Sequence, residues 1–502
     1  MALGETRNGI MRTKSVEQSI ADTDEPDTKL RKDLTTWDLI VFGVAVVIGA
    51  GIFTLAASTA GDVAGPSVSL AFVLAAIACA LAALCYAEFA STVPVAGSAY
   101  TFSYATFGEF IAWIIGWDLV LEFAVAAAVV GKGWSVYLET VFSQFGMDVP
   151  TTVTIGGIEV DWGVLLLLAV LTTLLVLGTK LSSRVSLVIT SIKVGIVLFV
   201  IILGIFYINA ANYTPFIPPP APADEEAADV LGQSLLSLFG GAASSTFGVY
   251  GLLAAASLVF FAFIGFDVVA TTAEETKNPQ RSLPRGILGS LAIVTVLYVA
   301  VALVLTGMVP YADLATQPDG TRATLSTAFA LVGVDWAATI IAIGALAGLT
   351  TVVMVLLLGQ IRVGFAMARD GLLPRWLSHT GEHGTPYRIS VIIGAIVAFV
   401  AVFFPIGALE EMVNIGTLFA FVLVSIGVVI LRRSRPDLTR GFRTPLVPLV
   451  PILSVLACLW LMINLSVETW LRFIIWMAIG LIVYFAYGRS HSVLGRRERQ
   501  RQ

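Results

Sequence analysis

Long apolar runs alternate with short polar segments along almost the whole chain. A helix needs about 20 residues to cross a hydrocarbon core of roughly 30 Å, and we identify twelve apolar runs suited to this. They lie near residues 36–60, 67–90, 105–136, 162–179, 185–208, 248–273, 286–309, 335–359, 388–405, 409–431, 446–466 and 468–487. The pattern predicts an all-α polytopic membrane protein with twelve transmembrane helices.

Two of the predicted spans are interrupted near their middles, the first at residues 49–51 and the sixth at residues 264–266. Irregular backbone at bilayer depth is tolerated only where it is buried in protein or lines a cavity. Interruptions at corresponding positions in two halves of a chain therefore indicate a transport site. Glycine also allows helices to pack closely in membranes, so packing is the alternative for each interruption taken alone.

Composition and charge agree with this class of protein. Hydrophobic residues make up 57% of the 502 residues and charged residues 13%, and the mean hydropathy is +0.91. Lys and Arg concentrate in cytoplasmic loops. With the N-terminus inside, the cytoplasmic segments hold all but four of the 29 basic residues, namely Lys132, Lys193, Arg322 and Arg472. We therefore expect a multi-pass protein of the cell membrane with both termini in the cytoplasm.

The predicted spans divide the chain into six segments. They are a cytoplasmic tail (1–35), five helices (36–208), an extracellular loop (209–247), five more helices (248–431), a cytoplasmic loop with two last helices (432–487) and a basic cytoplasmic tail (488–502).

No sequence motif indicates another function class. The chain has no Walker loop, nucleophile elbow or potassium-filter sequence, which argues against a pump, a membrane hydrolase and a selective channel. Cys79, Cys85 and Cys458 are scattered, and His379 and His383 stand in a segment rich in Gly and Pro, so neither a disulfide nor a metal site is indicated. We expect no metal, no cofactor, no enzymatic reaction and no nucleic acid partner.

The first interruption offers opposed backbone dipoles. Once glycines unwind the helix, the second half-helix presents free amides to a carboxylate, while the first half-helix presents free carbonyls to an ammonium. The second interruption is followed directly by Asp267. An acid at the membrane centre costs about 2.5 to 3.5 kcal/mol, so it usually faces a cavity or a partner. One zwitterionic amino acid matches this pair of interruptions.

Three blocks of sequence resemble the amino acid-polyamine-organocation superfamily, over about residues 34–445. They are WDL (37–39) leading to VIGAGIF (47–53), YAEFASTVPVAGSAY (86–100) with GWDLVLE (116–122), and IGFD (264–267) with AEETKNPQR (273–281). The last block resembles cationic-amino-acid-transporter-type permeases and their bacterial homologues. The resemblance implies a five-plus-five inverted repeat, as in leucine-transporter-like folds, followed by two additional helices.

The resemblance also implies that substrate is held where the first and sixth helices unwind. Carried over by position, the substrate-binding residues are Ile48, Gly49, Ala50, Gly51, Ile52, Phe260, Phe261, Phe263, Ile264 and Gly265. Amides of Ala50 and Gly51 then hold the carboxylate, and carbonyls from both interruptions hold the ammonium. Phe261 takes the position of an aromatic gate, with core packing as the alternative.

Lys193 lies in the middle of the fifth span, too deep for its side chain to reach water comfortably. In the resemblance, a lysine of the fifth helix occupies the region that sodium fills in sodium-coupled relatives. We expect protonated Lys193 to bind carbonyls of the unwound first helix and to release its proton during the inward transition. A permanently charged lysine that bridges helices one, five and eight is the alternative.

Further cavity or gating candidates are Asp118, Glu122, Asp267, Gly348, Thr350, Thr351 and Met354. Asp118 and Glu122 share one helix face at i,i+4 spacing, where they either favour cationic substrates or pair with a buried base. Gly348, Thr350 and Thr351 are expected beside Lys193. Small and apolar lining residues such as Met354 favour neutral amino acids.

The sequence thus predicts a secondary active transporter that imports amino acids by proton-coupled symport with alternating access. Exchange or uniport of cationic amino acids or polyamines is the alternative within transport, and a membrane amino acid sensor is the alternative of another class. The expected partners are the amino acid, protons and the lipid bilayer, and an accessory single-span subunit is left open.

Overall fold

The computed structural model describes residues 34–93, 98–156, 158–178, 183–222, 230–240, 245–317, 320–381 and 385–496. The predicted N-terminal tail up to residue 33, the acidic part of the extracellular loop, His383 and the end of the basic tail lie outside the described residues. The N-terminal boundary of the first helix is well defined. Thr35 and Asp38 form a capping box, in which the Thr35 amide donates to Asp38 Oδ2 at 2.8 Å.

The described chain is mainly helical. Its α-helices are α1 (Thr36–Val47), α2 (Ala56–Thr59), α3 (Val68–Thr92), α4 (Ser98–Thr106), α5 (Glu109–Gln144), α6 (Trp162–Val176), α7 (Ser183–Gly204), α8 (Leu235–Gly240), α9 (Gly248–Val259), α10 (Pro279–Met308), α11 (Leu325–Leu331), α12 (Asp335–Arg369), α13 (Tyr387–Phe403), α14 (Ile406–Ser434), α15 (Leu449–Ile463), α16 (Val467–Val483) and α17 (Arg489–His491). Wider π-helical turns cover Gly51–Leu55, Ala60–Ala64 and Tyr484–Gly488. Tighter 3-10 turns cover Gly65–Ser67, Ile205–Tyr207, Ala210–Tyr213, Phe260–Phe263, Phe266–Glu275, Tyr311–Leu314 and Arg375–Ser378.

Apolar helices occupy every predicted span. Within the described part of the chain, eight helical stretches are long and apolar enough to cross a membrane: Gly51–Thr92, Glu109–Gln144, Leu187–Tyr207, Gly248–Ala270, Pro279–Met308, Asp335–Arg369, Ile406–Ser434 and Val467–His491. The helices α1, α6, α13 and α15 are apolar but shorter. The chain is therefore a multi-pass membrane protein, whereas the count of twelve spans and the repeat layout stay predictions.

Two small antiparallel sheets lie between the helices, so the fold is mainly helical rather than purely helical. One pairs β1 (Thr152–Ile155) with β2 (Ile158–Asp161), and the other pairs β3 (Ala221–Pro222) with β4 (Ser245–Thr246). All four residues of the strand β1 are β-branched, and Gly156, at φ +62°, follows it in the turn. Both sheets fall in predicted loops, where water can satisfy the open strand edges that lipid cannot.

The helices pack as two groups. The first, second, sixth and seventh spans pack on one another through α1, α3, α9 and α10, and the third, fourth, eighth and ninth through α5, α6, α12 and α13. The fifth span, α7, contacts both groups, and so does the tenth, α14. The two interrupted spans therefore lie in one group, and each group contacts the fifth and tenth spans.

Candidate functional site

The first interruption is a short break between two helical segments. Helix α1 ends at Val47, Ile48 is extended at φ −69° and ψ 93°, and the chain becomes helical again from Ala50. The helix restarts with a hydrogen bond from the Phe53 amide to the Gly49 carbonyl at 3.3 Å. Within the described residues, the Ala50 amide has no acceptor and the Ile48 carbonyl no donor. The break therefore leaves one buried donor and one buried acceptor open.

The second interruption is longer. After α9 the chain makes a 3-10 turn, Ile264 is extended at φ −64° and ψ 138°, and Gly265 is left-handed at φ +114°. Only glycine adopts that conformation at little cost. The Ile264 amide donates to the Phe261 carbonyl at 3.2 Å, whereas the Ile264 carbonyl receives no donor from the described residues. This interruption therefore also offers a buried acceptor.

The two interruptions are in direct contact. A Cβ added to Gly51 would lie 2.2 Å from the Ala262 Cα, and one added to Gly265 would lie 2.8 Å from Val46 Cγ1. Both separations are too short for a real Cβ, so Gly51 lets the two backbones meet and Gly265 makes room for the Val46 side chain. The Ala50 amide and the carbonyls of Ile48 and Ile264 thereby belong to one region, which holds one open donor and two open acceptors.

Lys193 on α7 replaces a hydrogen bond that the first interruption removes. In a continuous helix the Gly49 amide would bond the Ala45 carbonyl; instead, Lys193 Nζ donates to that carbonyl at 2.7 Å. The lysine is 1% exposed. Its stem packs on Gly348, where an added Cβ would lie 2.9 Å from Lys193 Cγ. Lys193 therefore joins α1, α7 and α12.

Comparison with known proteins shows which family the chain belongs to. A family model described as amino acid permease matches residues 34–485. The chain belongs to the amino acid permease family. This permease is 42% identical to the branched-chain amino acid permease of Bacillus subtilis (strain 168), over 98% of its own length and 100% of the relative's. It is 40% identical to the methylthioribose transporter of the same organism, over 97% and 100%.

Plant relatives are also similar to this permease. Cationic amino acid transporter 4, vacuolar, of Arabidopsis thaliana is 37% identical over 86% of the permease and 68% of the relative. The predicted membership of the amino acid-polyamine-organocation superfamily is thereby confirmed. The family and these relatives are transporters rather than enzymes, as the sequence predicts.

The threonines predicted beside Lys193 bond elsewhere. The Thr350 hydroxyl accepts a hydrogen bond from Trp134 Nε1 at 2.9 Å and donates to Leu346. The Thr351 hydroxyl donates to the Gly348 carbonyl of its own helix at 2.7 Å. Of the three predicted neighbours, Gly348 is the one whose contact with Lys193 is direct. Helix periodicity separates these positions by about 100° per residue, so not all three can face one lysine.

Three carboxylates of the permease cluster between α5 and the segment after the second interruption. Asp118 and Glu122 share one face of α5, and the charges of Asp267 and Asp118 both act on Glu122. All three are buried, and both Asp118 oxygens, Glu122 Oε1 and Asp267 Oδ1 have no hydrogen-bond partner in the described residues. Asp118 lies against Gly416 of α14. They form no ion pair with a base in the described part of the chain.

The aromatic residues of the second interruption are packed in the core. Phe260 packs edge-on against Phe421, and Phe263 packs against Tyr298 with ring centroids 5.4 Å apart. Their side chains are core residues, so they offer the site their backbone alone. Phe261, Met354 and Ile52 are also buried.

Sequence reasoning missed two residues that bond the interrupted helices. Tyr298 Oη donates to the Val47 carbonyl at 2.7 Å, and Asn414 Nδ2 donates to the Ser257 carbonyl at 2.8 Å. A polar side chain inside an apolar span was the available signal, because such a residue is costly unless it has a partner. The sequence could not name that partner.

Proposed function

We propose that this permease imports amino acids across the cell membrane by proton-coupled symport with alternating access, and that both termini are cytoplasmic. The observation that carries the proposal is the Lys193 ammonium on the Ala45 carbonyl, at the end of the first half of an interrupted helix. A basic group at that point can bind the helix when protonated and release it when neutral. Binding of a proton and the shape of the substrate region are then coupled.

The substrate backbone binds between the two interruptions. Amides of Ala50 and Gly51, at the positive end of the second half-helix, receive the carboxylate. The carbonyls of Ile48 and Ile264 receive the ammonium, together with those of Phe260 and Phe263. Phe261 closes over the substrate. The opposed donor and acceptor groups support this assignment because they match both ends of a zwitterion.

A neutral, branched-chain side chain fits the proposal best. The surroundings include Phe261 and Met354, and the Bacillus subtilis relative is a branched-chain amino acid permease. Two other substrates are favoured by specific observations. The buried carboxylates Asp118, Glu122 and Asp267 favour a cationic amino acid, in exchange or uniport, and the second Bacillus relative transports methylthioribose.

Uptake into proteoliposomes tests the proposal. Purified permease is given radiolabelled leucine, arginine or methylthioribose, with and without an outside-acid pH gradient. We expect leucine to accumulate against its gradient only when protons flow inward. Lys193→Ala should abolish gradient-driven accumulation yet retain leucine counterflow, since the substrate groups belong to the backbone. Lys132→Ala, which removes the other lysine of the described spans, is the matched control and should keep coupling.

Each alternative has its own outcome. Arginine accumulation that ignores the pH gradient would replace symport with cationic exchange, and leucine binding without accumulation would indicate a sensor. Undiminished proton coupling in Lys193→Ala would make the lysine a permanent structural bridge. Methylthioribose uptake without leucine uptake would show that the donor and acceptor groups do not serve a zwitterion.

A further inference from the structure

The end of α9 is held by a side chain from the tenth span. Asn414 on α14 donates through Nδ2 to the Ser257 carbonyl at 2.8 Å and approaches the Leu258 carbonyl at 3.4 Å. These carbonyls belong to the last turn of α9, where the α-helix gives way to the 3-10 turn of the second interruption. A buried carbonyl at the end of a helix needs a donor from outside that helix. Asn414 supplies it.

The orientation of the Asn414 amide is determined by its surroundings. Carbonyl oxygens only accept hydrogen bonds, so two of them select the NH₂ group of the amide and exclude its oxygen. Asn414 is fully buried, and its Oδ1 has no partner in the described residues. The Asn414 side chain therefore bonds α9 through its NH₂ group and not through its oxygen.

This contact repeats, in the second half of the chain, the one that Lys193 makes in the first. Lys193 on the fifth span bonds the first half of the first span, and Asn414 on the tenth span bonds the first half of the sixth. The sequence separations are 148 and 157 residues. Both supporting helices, α7 and α14, contact both groups of packed helices.

We propose that Asn414 is a positioning residue of the transport cycle, the counterpart of Lys193 that holds the second interrupted helix without releasing a proton. This inference rests on the proposed function. Deprotonation weakens the hydrogen bond of Lys193 to the helix, because the bond is then no longer charge-assisted, whereas an amide keeps the same donors at every physiological pH. The end of α9 is thus held throughout the cycle, and of these two contacts the proton-dependent one is that of Lys193.

Charged groups also lie near Asn414, on its own helix and on α5. Glu410, one turn earlier on α14, forms an ion pair with Arg322 at 3.0 Å, and Glu411 accepts hydrogen bonds from Ser466 and Thr469. On the far side, Asp118 and Glu122 of α5 lie at Gly416 and Thr417, with Asp267 beyond them. A pH effect of Asn414 variants must therefore be separated from the titration of these carboxylates.

The variant Asn414→Asp separates the effect of the Asn414 hydrogen bond from the titration of these carboxylates. An ionised carboxylate repels the Ser257 carbonyl, whereas a protonated carboxyl donates to it. We expect leucine counterflow by Asn414→Asp to fall by at least about tenfold at pH 8 and to recover at pH 5, as the loss and return of one buried hydrogen bond implies. Asn414→Leu, which has no donor, should fall by a similar factor at both pH values. Ser425→Ala on the same helix, which removes a buried hydrogen bond to Ser454, is the matched control and should stay near wild type.

A second measurement does not depend on transport. Hydrogen–deuterium exchange of the purified protein should rise over residues 248–263 in Asn414→Leu and stay unchanged over 36–53, and Lys193→Ala should show the reverse. Wild-type counterflow in Asn414→Leu, an unaltered pH profile in Asn414→Asp, or exchange that rises equally in both regions would overturn the inference. If the wild type lacks proton coupling, the proposed function fails while the exchange pattern still decides the role of Asn414.

Discussion

The first interrupted helix is capped by a lysine and a tyrosine, whereas the second is capped by an asparagine. At the first, Lys193 and Tyr298 donate to carbonyls of α1, and the chain returns to a helix within a few residues. At the second, Asn414 donates to α9, and the chain continues through ten residues of 3-10 geometry, Phe266–Glu275. All three side chains donate to helix carbonyls, and under the proposed function Lys193 alone releases a proton.

The second half of the sixth span is also the less regular element. Runs of 3-10 helix longer than three or four residues are uncommon, because their hydrogen bonds have poorer geometry, and inside a helix they often mark a hinge. Asp267 lies in this run, close enough to Glu122 of α5 for their charges to interact. The two interruptions therefore differ in geometry: the first is a break of a few residues, whereas the second leads into a long irregular segment that carries Asp267.

Separating the two interruptions should have the largest effect. In Gly51→Val, the new Cβ would overlap the Ala262 Cα at 2.2 Å, so the backbones must move apart. We expect leucine uptake into proteoliposomes to fall by more than about 100-fold, since a packed core cannot absorb such an overlap locally. Gly195→Ala on α7, where an added Cβ meets nothing within 4 Å, is the control. Normal uptake by Gly51→Val would show that the interruptions do not need to touch.

Displacing Lys193 should affect the first interruption and spare the second. In Gly348→Val the added Cβ would lie 2.9 Å from Lys193 Cγ, which forces the lysine stem away from α12. We expect pH-driven leucine accumulation to fall by about tenfold, in line with the cost of an overpacked core, with smaller changes in counterflow. Gly359→Ala on the same helix, where the nearest atom is 3.9 Å away, should keep coupling. Equal losses of counterflow and accumulation would contradict a coupling role.

Removing the hydrogen bond from Tyr298 to α1 tests whether this tyrosine shares the proposed coupling role of Lys193. Tyr298→Phe keeps the ring contacts with Phe72 and Phe263 but leaves the Val47 carbonyl without its donor. Losing a partner of a buried carbonyl costs about 1–3 kcal/mol, so we expect a several-fold fall in the uptake rate with unchanged proton dependence. Tyr213→Phe, whose hydroxyl donates to Leu303 away from both interruptions, is the control. Loss of proton dependence would make Tyr298 part of the coupling.

The smallest effect is expected at the threonine predicted next to Lys193. The Thr351 hydroxyl bonds its own helix, so Thr351→Ala should change leucine uptake by less than about twofold, as is usual where no bond between elements is lost. Thr350→Ala also removes the hydrogen bond from Trp134 and should lower leucine uptake more than Thr351→Ala does. The two variants are compared in one uptake assay. A coupling defect in Thr351→Ala would show that it serves Lys193 in another conformation.

Local sequence predicted the places where the helices break. Glycines at 49, 51 and 265 sit inside otherwise apolar runs, and the structure has extended residues at Ile48 and Ile264 beside them. The i,i+4 face of Asp118 and Glu122 likewise follows from helix periodicity alone. The sheet formed by β1 and β2 was missed, because its strands are short and lie in a loop that the apolar pattern does not describe.

The apolar pattern and the two glycine-containing breaks were thus determined by the sequence itself, because membrane insertion and backbone freedom are properties of short segments. Tertiary structure decided which side chain serves which break. Lys193 reaches Ala45 and Asn414 reaches Ser257 across about 150 residues of chain. Asp267 and Glu122 likewise come within range of each other's charge only after two distant spans have packed. A polar residue inside an apolar span indicates, from the sequence alone, that it needs a partner. Which residue becomes that partner is decided by the packing of the helices.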